Sequence, residues 1–371
     1  MTRIASVETL HLAHPLEVPS GPGGVLNRER HLLLVRIATS DGVIGWGETS
    51  PLGGVVETIR DVVAPRLVGR DPLLVGRSWR ERWLEPFESG LVTGAVDTAL
   101  HDLRGKLLGI PVHALYGGAL RDRVPVYASG LCYLQDIHPR DQWVAEATGL
   151  AGRGFRAIKM RIGRYPPREE LPLVAAVREA LPADVRLMVD AWGSYSLTTA
   201  IRVGRELERI GLDWYEEPLP QHGYHGYEVL AGALDIAVAG GEMLQHPAAF
   251  AELFDRRAVD IVQPDISLCG GIGDFLFVAR LAALKGIRTM PHSWNGPVVE
   301  AASLHAASLL PDPTLLPGSE APLLEHDTTE NRFVSGLVRE PFALVDGAYA
   351  VPTAPGLGIE LDEAALERFR V

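Results

Sequence analysis

The sequence predicts a closed (β/α)8 barrel with a separate α+β capping domain, and three observations predict it. From Val124 onward, short apolar runs of β character alternate with longer amphipathic segments, and eight such runs precede residue 336. A βαβα succession of that length implies parallel strands, and eight units imply closure into a modified TIM barrel. The first 120 residues show no such repeat, so they form a different kind of unit. Finally, Asp190, Glu216 and Glu242 close successive runs at equal intervals of 26 residues, close to one βα unit. An open doubly wound sheet is the runner-up, but no Gly-rich phosphate loop follows the first strand.

Residues 1–123 read as the capping domain. HLLLVRIATSDGVIGWGE, His31 to Glu48, is a hairpin around the Ser40-Asp41-Gly42 turn. Val55, Val56, Ile59, Val62, Val63 and Leu67 then fall at helical spacing. A stronger helix spans Gly94 to Gly109, with Ala95, Val96, Ala99, Leu100, Leu103 and Leu107 in one stripe. It stops at Gly109, with Pro111 beyond. PSGPGG, Pro19 to Gly24, is by composition a mobile loop. Residues 124–335 hold the eight strands, in VPVYAS, FRAIKMRI, VRLMVDAW, LDWYEEP, IAVAGGEM, VDIVQPDIS, IRTMPHS and APLLEHD. Amphipathic stretches such as REELPLVAAVREAL and SLTTAIRVGRELERI lie between them. Residues 336–371 are loop-rich and then helical, and should return to the capping domain.

The chain has 371 residues, 47% hydrophobic and 22% charged, which is ordinary for a water-soluble enzyme. A net charge of −12 argues against a nucleic-acid or anionic-membrane surface. Two cysteines, Cys132 and Cys269, make neither a disulfide framework nor a thiolate metal site. The N-terminus has no continuous apolar stretch and no run is long enough to span a bilayer, so a cytoplasmic location is expected.

The strand ends carry the chemistry. In a barrel they converge on one face, which brings Asp190, Glu216 and Glu242 together. One such acid would more often cap the following helix. Three in register cannot all stay ionised without compensation. Oxygen ligands alone, without His or Cys, suit Mg²⁺, or Mn²⁺ in its place. Glu217 should face the other side of its strand. Asp265 on the sixth strand and His292 on the seventh form a carboxylate–imidazole dyad, which fixes the tautomer and leaves the second nitrogen as a general base. Lys159 and Arg161, two residues apart on the second strand, point the same way. Alone they would read as a solvated strand end; beside the acids and His292 they face an anionic substrate.

In the order GAVDTALHDLRGK, IKMRIG, VDAW, WYEEP, GGEM, QPDISLCGG, MPHSW and PGLGIEL, the whole chain resembles the mandelate racemase subgroup of the enolase superfamily. The resemblance implies removal of the proton α to a carboxylate in a small-molecule substrate. It implies Asp190, Glu216 and Glu242 as Mg²⁺ ligands, Asp265 and His292 as the dyad, and Glu325 in LLEHD as the acid supporting the enolate, with Glu320 as competitor. It also implies a homo-oligomer. The departure is Arg161, where the family pattern has a second lysine acting as base; arginine stays protonated. A one-base acid-sugar dehydratase is therefore expected, with a racemase, epimerase or cycloisomerase using Lys159 as the alternative. Substrate selection is expected in the capping loops PSGPGGVLNRERH and GETSPLGG, through Arg28, Arg30 and His31. His222 and His225 are expected to be loop residues and not ligands.

Overall fold

The computed structural model describes residues 2–74, 89–311 and 321–371. The capping sheet consists of β1 (Ile4–Gly21), β2 (Asn27–Thr39) and β3 (Ile44–Thr49), antiparallel, with the short β5 (Tyr133–Leu134) on the far edge of β1. The predicted hairpin is the β2–β3 pair. The loop expected at Pro19–Gly24 is shorter than its composition suggests. Ser20 pairs with Asn27 on one side and Leu134 on the other, so β1 runs through Gly21. Pairing satisfies that backbone and overrides the Pro/Gly signal.

The helical segment predicted at Val55–Leu67 is present, but a π-helical turn over Ile59–Val63 interrupts it. The extra residue rotates Val62 out to solvent, so the stripe is Val55, Ile59, Val63 and Leu67. The second helix begins earlier than expected, at Gly90, and runs to Leu108. Gly109 ends it in the left-handed region at φ 70°.

Eight parallel strands follow, β4 (Arg123–Ser129), β6 (Ala157–Arg161), β7 (Arg186–Asp190), β8 (Trp214–Glu216), β9 (Ala237–Gly240), β10 (Ile261–Val262), β11 (Arg288–Thr289) and β12 (Leu324–Asp327). Their order is β11-β10-β9-β8-β7-β6-β4-β12. Among the described residues β11 and β12 share no ladder. That seam is crossed by Glu325 N to Pro291 O at 3.4 Å and Leu323 N to Met290 Sδ at 3.1 Å. The tail divides: β13 (Ala348–Ala350) pairs antiparallel with β4, and the helix Glu363–Phe369 packs against β1. No described helix is long and apolar enough to cross a membrane.

The barrel interior is layered. Tyr127, Ala157, Met188, Trp214, Ala239, Ile261, Met290 and Leu323, one from each strand or its flank, form a buried apolar floor. Side chains two apart on a strand share a face. Lys159, Asp190, Glu216, Gln263, His292 and Glu325 therefore stand directly above that floor as a polar layer. On β9 the step is broken by Gly241, whose φ of 103° favours glycine. The chain turns there and Glu242 joins the polar layer.

Candidate metal and proton-transfer site

Asp190, Glu216 and Glu242 are all buried, and each offers an oxygen within 4.8 Å of the others. Their surroundings are uneven. Glu216 Oε2 accepts from Gln263 Nε2 at 2.6 Å and Trp214 Nε1 at 3.1 Å, and Asp190 Oδ1 accepts from Trp192 N at 2.8 Å. Asp190 Oδ2 and Glu242 Oε2, both buried, accept no hydrogen bond. Burial raises the Glu242 pKa. Buried, all-oxygen and partly unsatisfied, this donor set fits a hard divalent cation.

Lys159 is fully buried among the acids. Its Nζ lies 2.8 Å from Glu325 Oε1, 3.7 Å from Asp190 Oδ2, and against Glu216. Burial alone would lower its pKa, but Glu216 and Glu325 outweigh burial and raise it. Arg161 is ion-paired with Asp190, and its guanidinium stacks 4.1 Å from the Trp294 ring centroid. Neither cation reaches bulk water.

On the other side, His292 Nδ1 lies 2.7 Å from Asp265 Oδ2. Asn295 Nδ2 donates to the same oxygen at 2.9 Å, and Ser267 donates to Oδ1 through N (2.7 Å) and Oγ (2.6 Å). This pins Nδ1–H toward Asp265 and aims Nε2 at the polar layer, 3.3 Å from Glu242 and 3.6 Å from Glu325. Burial lowers the imidazole pKa, but Glu242, Glu325 and Asp265 more than offset it and push it up to about 10. Glu325 bridges the two sides, also accepting from Ser293 N at 3.1 Å. Despite burial, Lys159, His292 and Arg161 hold its carboxyl well below the usual range. In this state it accepts and does not donate. Glu320 lies outside the described residues.

Glu217 turns outward at φ 38°, buried near Tyr227 of the surrounding helix. Burial, then Glu242, pushes it up to about 8. His222 is exposed. His225, expected in a loop, lies in the first turn of the helix Tyr224–Ala233 and is also exposed.

Between the cap and the barrel lies a cavity of about 570 Å³ lined by His11, Arg30, His31, Ser50, Trp294 and Asn295, among others. Trp294 and Asn295 contact Arg161 and Asp265, so the cavity abuts the polar layer. His31 Nδ1 is 3.0 Å from His11 Nε2, and Arg30 is ion-paired with Asp327 at 2.8 Å. Arg28 is exposed on β2 and is not among the lining residues. Sequence reasoning missed Gln263, Trp214, Ser293, Trp294 and Asn295. For Gln263 and Trp214 the period-2 spacing from Asp265 and Glu216 was the available signal.

Comparison with known proteins shows the family of the chain. Residues 6–117 match the mandelate racemase/muconate lactonizing enzyme N-terminal domain, and residues 142–365 match the enolase C-terminal domain-like family. The chain is 34% identical to a D-galactarolactone cycloisomerase of Agrobacterium fabrum, over 100% of this chain and 99% of that one. It is similar to the crystal structure of a 3,6-anhydro-D-galactonate cycloisomerase from Zobellia galactanivorans, with a TM-score of 0.88 and 31% identity over 100% and 99% of the two chains. It is also similar to a variant of an L-talarate/galactarate dehydratase liganded with Mg and L-glucarate, with a TM-score of 0.87 and 30% identity over 100% and 92%. The chain belongs to the mandelate racemase/muconate lactonizing enzyme group of the enolase superfamily.

Proposed function

We propose that the protein is a Mg²⁺-dependent dehydratase of an acid sugar, an aldonate or aldarate, that works with one base. The observation carrying this reading is that His292 is the one imidazole of the polar layer, oriented by Asp265, while both cations opposite it are tied to carboxylates. Asp190, Glu216 and Glu242 would hold one Mg²⁺ per chain, with Mn²⁺ able to stand in. The cation would supply Lewis-acid stabilisation of the charge that develops on the substrate carboxylate. Lys159 and Arg161 add fixed positive charge on the same side.

His292 Nε2 takes the C2 proton, and the electron pair of that C–H bond is left as an enediolate. The C1 carboxylate re-forms as the C1=C2 pair of the enediolate moves to C2=C3 and the C3–O bond breaks, and the imidazolium gives its proton to the departing hydroxyl, which leaves as water. The resulting enol takes a proton at C3 and becomes a 2-keto-3-deoxy acid. Syn elimination needs no second base, which suits a site where arginine stands in place of the second lysine.

A second reading, a ring-opening cycloisomerase, is favoured by the similarity to the D-galactarolactone cycloisomerase along the whole chain. The proton removal is the same, but the leaving oxygen belongs to a ring. Purified protein with Mg²⁺ is to be screened against aldonic acids, aldaric acids and their lactones, read by keto-acid formation and mass. A product one water lighter than its substrate supports the dehydratase. A keto acid isomeric with its lactone substrate moves the assignment to the cycloisomerase. Solvent deuterium at C2 of recovered substrate without keto acid marks a racemase or epimerase and sinks both.

A further inference from the structure

We infer that Glu48, a capping-domain residue outside the polar layer, is a positioning residue that holds His292 in register. The inference rests on His292 being the base. Glu48 is the penultimate residue of β3 and is fully buried. Its carboxylate accepts from Gly296 N, from Val298 N at 2.9 Å and from Val299 N at 3.3 Å. These amides open the barrel helix Pro297–Ser308, whose first internal bond is Glu300 N to Gly296 O at 3.1 Å. Pro297 has no N–H. One side chain from the cap therefore satisfies every free donor of that first turn. Burial pushes its carboxyl up to about 8, against the lowering by these three amides.

The anchored segment is the one that carries the base. Between β11 and Gly296, His292 bonds Asp265, Ser293 bonds Glu325, Trp294 stacks on Arg161 and Asn295 bonds Asp265. Its backbone meets the rest of the barrel through His292 N to Pro264 O at 3.3 Å, Glu325 N to Pro291 O at 3.4 Å and Asn331 Nδ2 to Asn295 O at 2.8 Å. β11 holds the segment at its start, and Glu48 anchors it where it enters the helix at Gly296.

Glu48 itself has little freedom. A Cβ at Gly47 would lie 1.8 Å from Ala95 O, and one at Gly45 would lie 2.2 Å from Ala99 O, so β3 lies flush on the helix Gly90–Leu108. The same helix lies flush on the turn after Asp265, since a Cβ at Gly90 would lie 1.8 Å from Leu268 O and one at Gly94 would lie 2.6 Å from Ser267 O. One rigid unit of the cap thus bears on both members of the dyad.

Two variants perturb this contact from opposite sides. Glu48→Gln keeps the shape but puts an NH₂ donor among amide donors. Gly296→Ala, at an unstrained φ of −103°, would place its Cβ 3.0 Å from Glu48 Oε2 and 3.1 Å from Leu32 Cδ2, the end of a flexible side chain. Each is expected to lower kcat by about 10- to 100-fold, the loss typical of a small misplacement of a catalytic group. KM should change less than kcat, and calorimetric Mg²⁺ affinity should stay within about threefold, since Asp190, Glu216 and Glu242 are untouched. The double variant should lose no more than the worse single one, and Glu48→Asp should recover part of the loss. Wild-type kcat in either single variant overturns the inference. So does a parallel loss of kcat, KM and Mg²⁺ affinity, which marks general loosening of the fold. If Glu48→Gln does not fold, Gly296→Ala decides alone. Turnover persisting in His292→Asn would instead sink the underlying reading, a distinguishable result.

Discussion

The two walls of the barrel mouth differ in how folding satisfies their polar atoms. On the dyad wall, from β10 and β11, both Asp265 oxygens are occupied, by Ser267 on one and by His292 and Asn295 on the other. On the acid wall, from β6 to β9, Asp190 Oδ2 and Glu242 Oε2 accept no hydrogen bond although they are buried. Lys159 and Arg161 crowd against Asp190 as substitute counterions, and His292 Nε2 faces Glu242 Oε2 at 3.3 Å. The dyad wall is complete once the chain folds. The acid wall is complete only when something positive joins it, because buried carboxylates are costly unless compensated.

The sharpest way to break that contrast is to deny the acid wall its cation. Chelation, with metal analysis confirming removal, is expected to abolish turnover, and Glu216→Gln to lower it by at least about 10³-fold with circular dichroism unchanged. Full turnover without metal would show the acid wall to be self-sufficient. The dyad wall should be nearly as intolerant. His292→Asn is expected to cost about 10²- to 10⁴-fold, the usual contribution of a general base, and to lose C2-proton exchange with D₂O as well. Exchange at a near wild-type rate would move the base to Lys159.

The acid wall was legible in the sequence and the anchoring of the dyad wall was not. Asp190 and Glu216 follow from strand alternation above apolar Met188 and Trp214, a local rule with period two. Glu242 follows from the equal spacing of the βα units, even though Gly241 breaks the alternation. His292 and Asp265 follow from the same repeat. Glu48 lies near the end of a hairpin strand and reads there as an ordinary polar residue. Its partners lie in another domain, so no local period reports them. Trp294 is similar, because its role depends on Arg161 from a distant strand. The stretch through Gly21 was misjudged because strand pairing on both edges outweighed its composition.

A titration sharpens the comparison. Burial lowers the His292 pKa, but Glu242, Glu325 and Asp265 push it up to about 10 in the metal-free protein, above its ordinary 6.5. A raised folded pKa means that the charged imidazole adds stability below about 6.5, and that this is lost as the pH rises through about 10. A cation among the acids would offset the charge of Glu242 and draw the pKa back down. The imidazole signals of His292 in an NMR titration should therefore move to lower pH on adding Mg²⁺. Between pH 6.5 and 10, the Tm of the metal-free protein should fall faster than that of His292→Asn. An unchanged His292 titration on adding Mg²⁺ would mean the acids hold no cation near it.

The smallest effect is expected at the seam between the walls. Arg161 comes from β6 on the acid side, and Trp294 follows β11 on the dyad side. Their stack at 4.1 Å joins the two walls above the polar layer. Arg161→Lys keeps the charge but removes the planar face that stacks on Trp294 and shifts the charge that pairs with Asp190. The expected loss is about 1–3 kcal/mol in kcat/KM, the range for a charged hydrogen bond. The loss should fall in both kcat and KM, because Arg161 contacts an acid on one wall and the base-bearing segment on the other. A lysine there also restores the residue usual in the family at this position, so slow C2 exchange that survives in an Arg161→Lys, His292→Asn double variant is the outcome to look for. If it appears, the new lysine reaches C2 from the face opposite His292, and arginine is what restricts the wild-type chain to one base. If it does not, the acid wall holds any cation at that position too tightly to serve as a base, and the division of labour between the walls is deeper than the choice of one residue.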